Sequence, residues 1–162
     1  MTEWCELPLK IESHTIESGL KMAGVMIDDF NMMHAVSWQS WTAVNEDGVL
    51  DKDEDGNLVI YNRCYAFKQF TSFIEPGMKR VKTIDSFGDN DVKTVDFTNE
   101  EKTVIIALNA TSASKELQLK GISGKTEVYV TDAAHNCERI YEGTLENTFD
   151  LPQKSIVTFR IT

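Results

Sequence analysis

The spacing of apolar residues changes at Pro76-Gly77, and this change constrains the fold more than any other feature of the sequence. Before Pro76, apolar residues recur at helical intervals over 16–34 and again over 61–73. After Gly77, short β-rich runs alternate with turn residues about every ten positions, which is typical of an antiparallel sandwich or barrel. We therefore predict two domains, residues 1–76 and residues 77–162.

The N-terminal region reads as helix, strand and helix. Residues 16–34 carry a broad apolar stripe that includes several methionines, and we expect this stripe to be core rather than a ligand surface. Residues 35–44 form a short apolar run, which predicts a strand. A second helix is predicted over 61–73, because Pro76-Gly77 stops it. Such a succession is typical of parallel α/β proteins.

The C-terminal region is predicted to be an antiparallel β-sandwich, so that the chain as a whole is α+β and mainly β. Val104–Leu108 is continuously apolar, which predicts a central strand covered on both faces. Residues 155–161 alternate, which predicts one buried and one partly wet face. The seven predicted strands are 80–84, 94–97, 103–109, 116–119, 127–131, 138–141 and 155–161.

Composition narrows the class of protein. With 41% apolar and 26% charged residues the chain is expected to fold as a globular protein. A net charge of -10 argues against nucleic-acid binding, which needs clustered Lys and Arg. We also predict no membrane span, because no apolar run approaches the roughly 20 residues that one requires. The cysteines at 5, 64 and 137 fit neither a disulfide framework nor a zinc cluster.

Three segments carry a resemblance to a known family. They are Thr2-Glu3-Trp4-Cys5, the pair Trp38 and Trp41, and Phe67 to Pro76-Gly77 with Lys79-Arg80-Val81 after it. In order and approximate spacing they are similar to glycoside hydrolase family 30, which includes glucosylceramidases, β-1,6-galactanases, β-1,6-glucanases and xylanases. The resemblance extends over the whole chain and weakens toward the C-terminus.

The resemblance implies a fold and a site. Members of the family have an eight-stranded (β/α) barrel with a side β-sandwich, hydrolyse β-glycosides with retention, and are commonly secreted or periplasmic. By analogy, residues 1–76 would be the end of the barrel, with Glu3 as the nucleophile at the end of the seventh strand. Trp41 would lie at the sugar-binding end, where an indole stacks on a pyranose ring. Trp38 is either a second sugar contact or a core residue.

The chemistry needs more than one carboxyl group. A retaining glycosidase pairs a nucleophilic carboxylate with an acid/base carboxyl about 5 to 5.5 Å away. In family 30 the acid/base glutamate comes from the fourth barrel strand, which would lie upstream of Met1, and a whole barrel takes about 250 residues. We therefore expect the C-terminal portion of a retaining β-glycosidase that is inactive as an isolated chain.

Two alternatives remain open at this stage. The first is a non-catalytic carbohydrate-binding or structural module in which the sandwich is the working part. The second concerns partners: unpaired parallel strands and apolar helix faces rarely stay exposed, which predicts self-association or pairing with the missing barrel portion.

An acidic loop raises the question of a metal. Asp51, Asp53 and Asp55 are spaced like the first ligands of an EF-hand, with Gly56 at the sixth position. Asn62 stands where the bidentate glutamate should be, so we expect a solvated loop and no metal. The sequence has no phosphate-binding loop and no paired-cysteine motif, and we expect no cofactor.

Overall fold

The computed structural model describes residues 4–5, 15–44, 48–82 and 91–162. Within these residues the chain forms two helices and ten strands. The helices are α1, Ile16–Met32, and α2, Asn62–Thr71. The strands are β1, Leu50–Lys52; β2, Leu58–Ile60; β3, Lys79–Val81; β4, Val92–Thr98; β5, Thr103–Asn109; β6, Lys115–Gln118; β7, Thr126–Thr131; β8, Asn136–Gly143; β9, Thr148–Leu151; and β10, Ser155–Ile161. Neither helix is long and apolar enough to cross a bilayer.

Both helices follow the predicted apolar pattern. α1 begins at Thr15, whose hydroxyl accepts a hydrogen bond from the Ser18 amide at 3.4 Å, as an N-cap residue does. Its methionines Met22 and Met26 are buried, as predicted for core residues, but the same prediction is wrong for Met33, which lies beyond the end of α1 and is 58% exposed. After α1 the chain reverses at His34, which has a left-handed backbone with φ of 52°. α2 ends before Pro76, as predicted.

The strands form a central six-stranded antiparallel sheet in the order β3-β4-β5-β10-β7-β8. One face of this sheet packs against the two-stranded sheet β6-β9, where Phe149 and Phe159 meet edge-to-face at 5.1 Å. The other face packs against α1 and α2, where Phe30 meets Phe97 at 5.3 Å. The fold is therefore mainly β, a sandwich with helices on its outer face, which confirms the predicted class.

The central strands differ in how well the sequence predicted them. β5 has the predicted bounds and is buried on both faces, as expected. β10 also has the predicted bounds, but the expectation of a partly wet face is wrong, because Ile156 and Thr158 are fully buried. The cause is α2, which covers that face: the Thr158 hydroxyl donates to the carbonyl of Gln69 at 3.0 Å.

Residues 35–44 do not form the continuous strand that was predicted. Between described residues they make only isolated parallel bridges, at Ser40 with Trp4 and at Val44 with Leu50. A strand requires backbone partners along its length, and in the described part of the chain this segment finds them at these points alone. β1, β2 and β9 were not predicted, and part of the predicted strand 80–84 lies outside the described residues.

The two predicted domains share a hydrophobic core. The cluster that contains Met26 and Phe70 from the helices also contains Val95, Val104 and Ile106 from the sheet. Asp28 on α1 and Lys93 on β4 add an ion pair at 2.5 Å across the same boundary. The division at residues 76 and 77 stays a prediction, and α1 and α2 pack directly on the sheet of the second region.

Candidate active site

Residue Trp4 lies beside the segment 39–41 in a parallel arrangement. Its amide donates to the carbonyl of Gln39 at 2.9 Å, and its carbonyl accepts from the amide of Trp41 at 2.7 Å. Parallel neighbours end at the same edge of a sheet. The residue that precedes Trp4 in the chain is Glu3, the predicted nucleophile, and it lies outside the described residues.

Trp41 and Trp38 have different environments. The Trp41 side chain is 53% exposed, and its peptide bond to Thr42 is cis. Trp38 is half-buried: its ring lies 5.7 Å from that of Trp4 and 5.8 Å from that of Phe67. Trp41 thus presents an indole to solvent, as a sugar-stacking residue must, whereas Trp38 is part of an aromatic cluster.

Two polar residues of the helices support this cluster, and the sequence pattern indicated neither of them. Asp29 is buried in α1, and its Oδ2 accepts a hydrogen bond from the Trp38 indole Nε1 at 2.8 Å. Arg63 is fully buried in α2, and its guanidinium lies 5.9 Å from the centre of the Trp4 ring, within the range of a cation–π contact. The Arg63 Nε donates to the hydroxyl of Ser18 at 2.8 Å. The sequence does not show that a polar helix residue contacts an aromatic cluster, because its partners are known only from the fold.

The acidic loop is a hairpin that follows the Trp41 segment. β1 and β2 pair with Leu50 opposite Ile60, and Val44 bridges to Leu50. The Asp53 carboxylate accepts from the amides of Asn57 at 2.8 Å and Asp55 at 3.1 Å, and the hydrogen bonds from Asn57 lower the pKa of Asp53. In the described part of the chain no group of three or more His, Cys, Asp or Glu side chains could hold a metal ion.

Trp38 also lines a cleft of about 600 Å³. The cleft lies where both helices end and β3 begins, with Phe67, Ile74 and Met78 among its apolar side chains. At its rim an Arg80 guanidinium nitrogen lies 3.2 Å from Nδ1 of His34. Of the predicted site residues that the structure describes, only Trp38 is among its lining residues.

In this structure, Trp4 and residues 39–41 lie parallel to each other, and α1 and α2 pack on an antiparallel sandwich. The exposed indole of Trp41 lies on the second of these parallel segments. This architecture occurs in solved glycoside hydrolases. An endoxylanase of family 30 from Clostridium papyrosolvens C71 matches 100% of this chain with a TM-score of 0.82 and 26% sequence identity. A family 30 subfamily 8 xylanase from Clostridium acetobutylicum matches 100% of this chain with a TM-score of 0.83 and 20% identity. The family 30 xylanase C from Talaromyces cellulolyticus matches 99% with a TM-score of 0.82 and 24% identity.

The similarity covers only part of those proteins. This chain spans 41%, 42% and 40% of the three chains, respectively, and corresponds to their C-terminal part. No family model and no curated protein matches the sequence. The resemblance to the C-terminal part of a family 30 glycoside hydrolase is thus confirmed at the level of the fold. The roles of Glu3, Trp38 and Trp41 remain predictions.

Proposed function

We propose that this chain is the C-terminal portion of a retaining hydrolase of β-linked glycans. The observation that carries the proposal is that nearly the whole of this chain matches the C-terminal part of three family 30 xylanases. Glu3 serves as the nucleophile and Trp41 as the sugar platform, with Trp38 as a second contact or as the support of the platform. The exposed indole of Trp41 beside the parallel pair supports this assignment.

The isolated chain does not hydrolyse glycosides in this proposal. Retaining hydrolysis requires two carboxyl groups on opposite sides of the scissile bond. The Trp41 amide donates to the carbonyl of Trp4, and the neighbouring Ser40 bridges to Trp4, so these described contacts supply no carboxyl group. This chain covers about two fifths of each of the three xylanases, and the second carboxyl would come from a portion like the remaining three fifths.

A chimera tests the proposal. The N-terminal part of the Clostridium papyrosolvens endoxylanase that this chain does not match is fused to residue 1, and xylan hydrolysis is measured. We expect the chimera to hydrolyse xylan, the isolated chain to be inactive, and Glu3→Gln to abolish turnover in the chimera. Glu6→Gln is the matched control and should leave the activity of the chimera intact. A folded but inactive chimera, or an active Glu3→Gln variant, contradicts the assignment of Glu3.

The alternative is a non-catalytic carbohydrate-binding or structural sandwich. Binding sandwiches commonly present aromatic rings to solvent, because stacking on sugars needs an accessible face. Among the described aromatic residues of β3 to β10, Tyr141 is 36% exposed, whereas Phe97 and Phe159 are buried. The exposure of the described aromatic rings therefore favours a sugar site at Trp41 over one on the sandwich. Titration with xylohexaose, β-1,6-glucotetraose and β-1,6-galactotetraose, followed by tryptophan fluorescence, distinguishes the two: a signal abolished by Trp41→Ala supports the first proposal, and one retained supports the alternative.

The proposal also assigns a partner. Large apolar side chains stay exposed at the C-terminal end of α1 and just after it: Met32 is 75% exposed, Met33 58% and Val36 100%. Exposed contiguous apolar surface marks an interaction site. We propose that these residues are covered by a barrel portion when one is present, and by a second copy of the chain when it is not.

A further inference from the structure

We propose that Asp29 is a positioning residue for the sugar-binding site, acting through Trp38 and Trp4 on the backbone of Trp41. This inference rests on the proposed function for its biological meaning, but the coupling itself is a property of the fold. The coupling has three links, each of them a contact between described residues.

The first link fixes the Trp38 ring. Oδ2 of Asp29 accepts from Nε1 of Trp38 at 2.8 Å, and Asp29 is itself 7% exposed, so water competes little for this bond. The backbone carbonyl of Asp29 accepts from the amides of Met33 at 3.2 Å and Ala35 at 3.2 Å. Asp29 thereby holds both the indole of Trp38 and the turn that leads the chain toward it.

The second link passes from Trp38 to Trp4. Their ring centroids lie 5.7 Å apart at an interplanar angle of 36°, and Phe67 supports the Trp38 ring at 5.8 Å. The Arg63 guanidinium contacts the Trp4 ring at 5.9 Å. A tilt or shift of the Trp38 indole must therefore move Trp4 or open a gap in a packed cluster, which costs contact energy.

The third link passes from Trp4 to Trp41 through the backbone. The carbonyl of Trp4 accepts from the amide of Trp41 at 2.7 Å, and the amide of Trp4 donates to Gln39 at 2.9 Å. These bonds set where the Trp41 backbone lies relative to Trp4. Since this backbone carries the exposed indole, loss of the Asp29 bond should loosen the sugar platform without any contact between Asp29 and the sugar.

Amide exchange measured by NMR on the whole chain tests the coupling. In Asp29→Ala we expect exchange at the Trp41 amide to accelerate about tenfold or more, corresponding to one lost buried hydrogen bond, while the amide of Ile106 in β5 stays unchanged. Asp29→Asn keeps an acceptor oxygen and should restore slow exchange to within about threefold. Asp28→Ala is the matched control, since Asp28 is the adjacent acid on α1 and pairs with Lys93 instead.

The outcomes separate this inference from the proposed function. Unchanged exchange at Trp41 in Asp29→Ala, or equal acceleration in Asp28→Ala, overturns the coupling. If Asp29→Ala does not fold, Trp38→Phe removes the indole N–H while keeping a ring, and the same acceleration at Trp41 is required of it. Affinity for xylohexaose should fall about tenfold in Asp29→Ala and recover in Asp29→Asn. A wild-type chain that binds none of the three oligosaccharides contradicts the proposed function, whereas the exchange rates still decide the role of Asp29.

Discussion

The hydroxyl of Thr158 in the middle of β10 donates a hydrogen bond of 3.0 Å to the backbone carbonyl of Gln69 in α2. Gln69 lies in the last turn of its helix, where carbonyl groups lack intrahelical donors, so the sheet caps the helix. Both residues are fully buried. A polar bond thus joins the two predicted regions at the centre of their shared core.

Removing this donor should destabilise the whole chain. Thr158→Val keeps the shape of the side chain but leaves a buried carbonyl without its donor, which should lower the free energy of unfolding by about 1–3 kcal/mol. Urea denaturation followed by far-UV circular dichroism measures the change. Thr148→Val, at an exposed position of β9, is the control and should stay within about 0.5 kcal/mol. Equal stability of the two variants would contradict the capping role.

A close contact between the helices gives a second prediction. A Cβ atom at Gly19 would lie 3.0 Å from Cβ of Ala66 and 3.1 Å from the carbonyl oxygen of Asn62. Neither neighbour can rotate away, so Gly19→Ala should push α1 and α2 apart and cost about 1–3 kcal/mol. At Gly24 the same substitution meets only a flexible Leu108 methyl at 3.4 Å, and the gain in helix propensity should stabilise the chain by up to about 1 kcal/mol. Thermal unfolding of the two variants should therefore shift in opposite directions.

The charge network on β7 predicts a dependence of stability on pH. Hydrogen bonds from Arg160 at 2.6 Å and Arg139 at 2.7 Å lower the pKa of Glu127 below its ordinary value. A carboxyl with a lowered folded-state pKa contributes stability above its unfolded pKa, and this contribution disappears as pH falls through the folded pKa. We expect Glu127→Gln to cost up to about 1 kcal/mol at pH 7 and progressively less below about pH 4.3.

Unfolding curves of wild type and Glu127→Gln, recorded between neutral pH and the acid limit of folding, check this dependence. Glu138→Gln changes an exposed glutamate of β8 and serves as the control. A Glu127→Gln deficit that stays constant down to low pH would exclude the ionic origin.

Exposed apolar residues predict self-association of the isolated chain. Light scattering at increasing concentration should give a mass above the monomer mass of 18.3 kDa. Introducing charge with the double substitution Met33→Glu and Val36→Glu should return the chain to a monomer, because both side chains would be covered in the associated form. Ile140→Glu, at a 46% exposed position of the edge strand β8, should leave association unchanged. A wild-type monomer at all concentrations would rule out this use of the surface.

The sequence predicted the elements whose apolar pattern is complete within the element itself. β5 and β10 were predicted with their observed bounds because their residues are apolar or alternate without interruption. The hairpin β1-β2 was missed because three-residue strands on either side of an acidic turn carry no periodic signal. Residues 35–44 were assigned to a strand although their backbone partners among the described residues, Trp4 and Leu50, are too few to make one.

The candidate site was predictable only in part. The family resemblance indicated Trp38 and Trp41 from their sequence context, but a contact between indole and carboxylate depends on residues brought together by the fold. Asp29 and Arg63 were therefore not indicated by the sequence. Their burial follows from the packing of Trp38 and Trp4 against α1 and α2, which no local spacing records.

The helices that cover one face of the six-stranded sheet set a limit on how this region can be transplanted. If the chain were cut at Gly77 to transfer the sandwich alone, Val95, Val104 and Ile106 would lose the helices that bury them, and an apolar face of the sheet would be exposed to water. The transferable unit therefore begins before Ile16 and includes both α1 and α2.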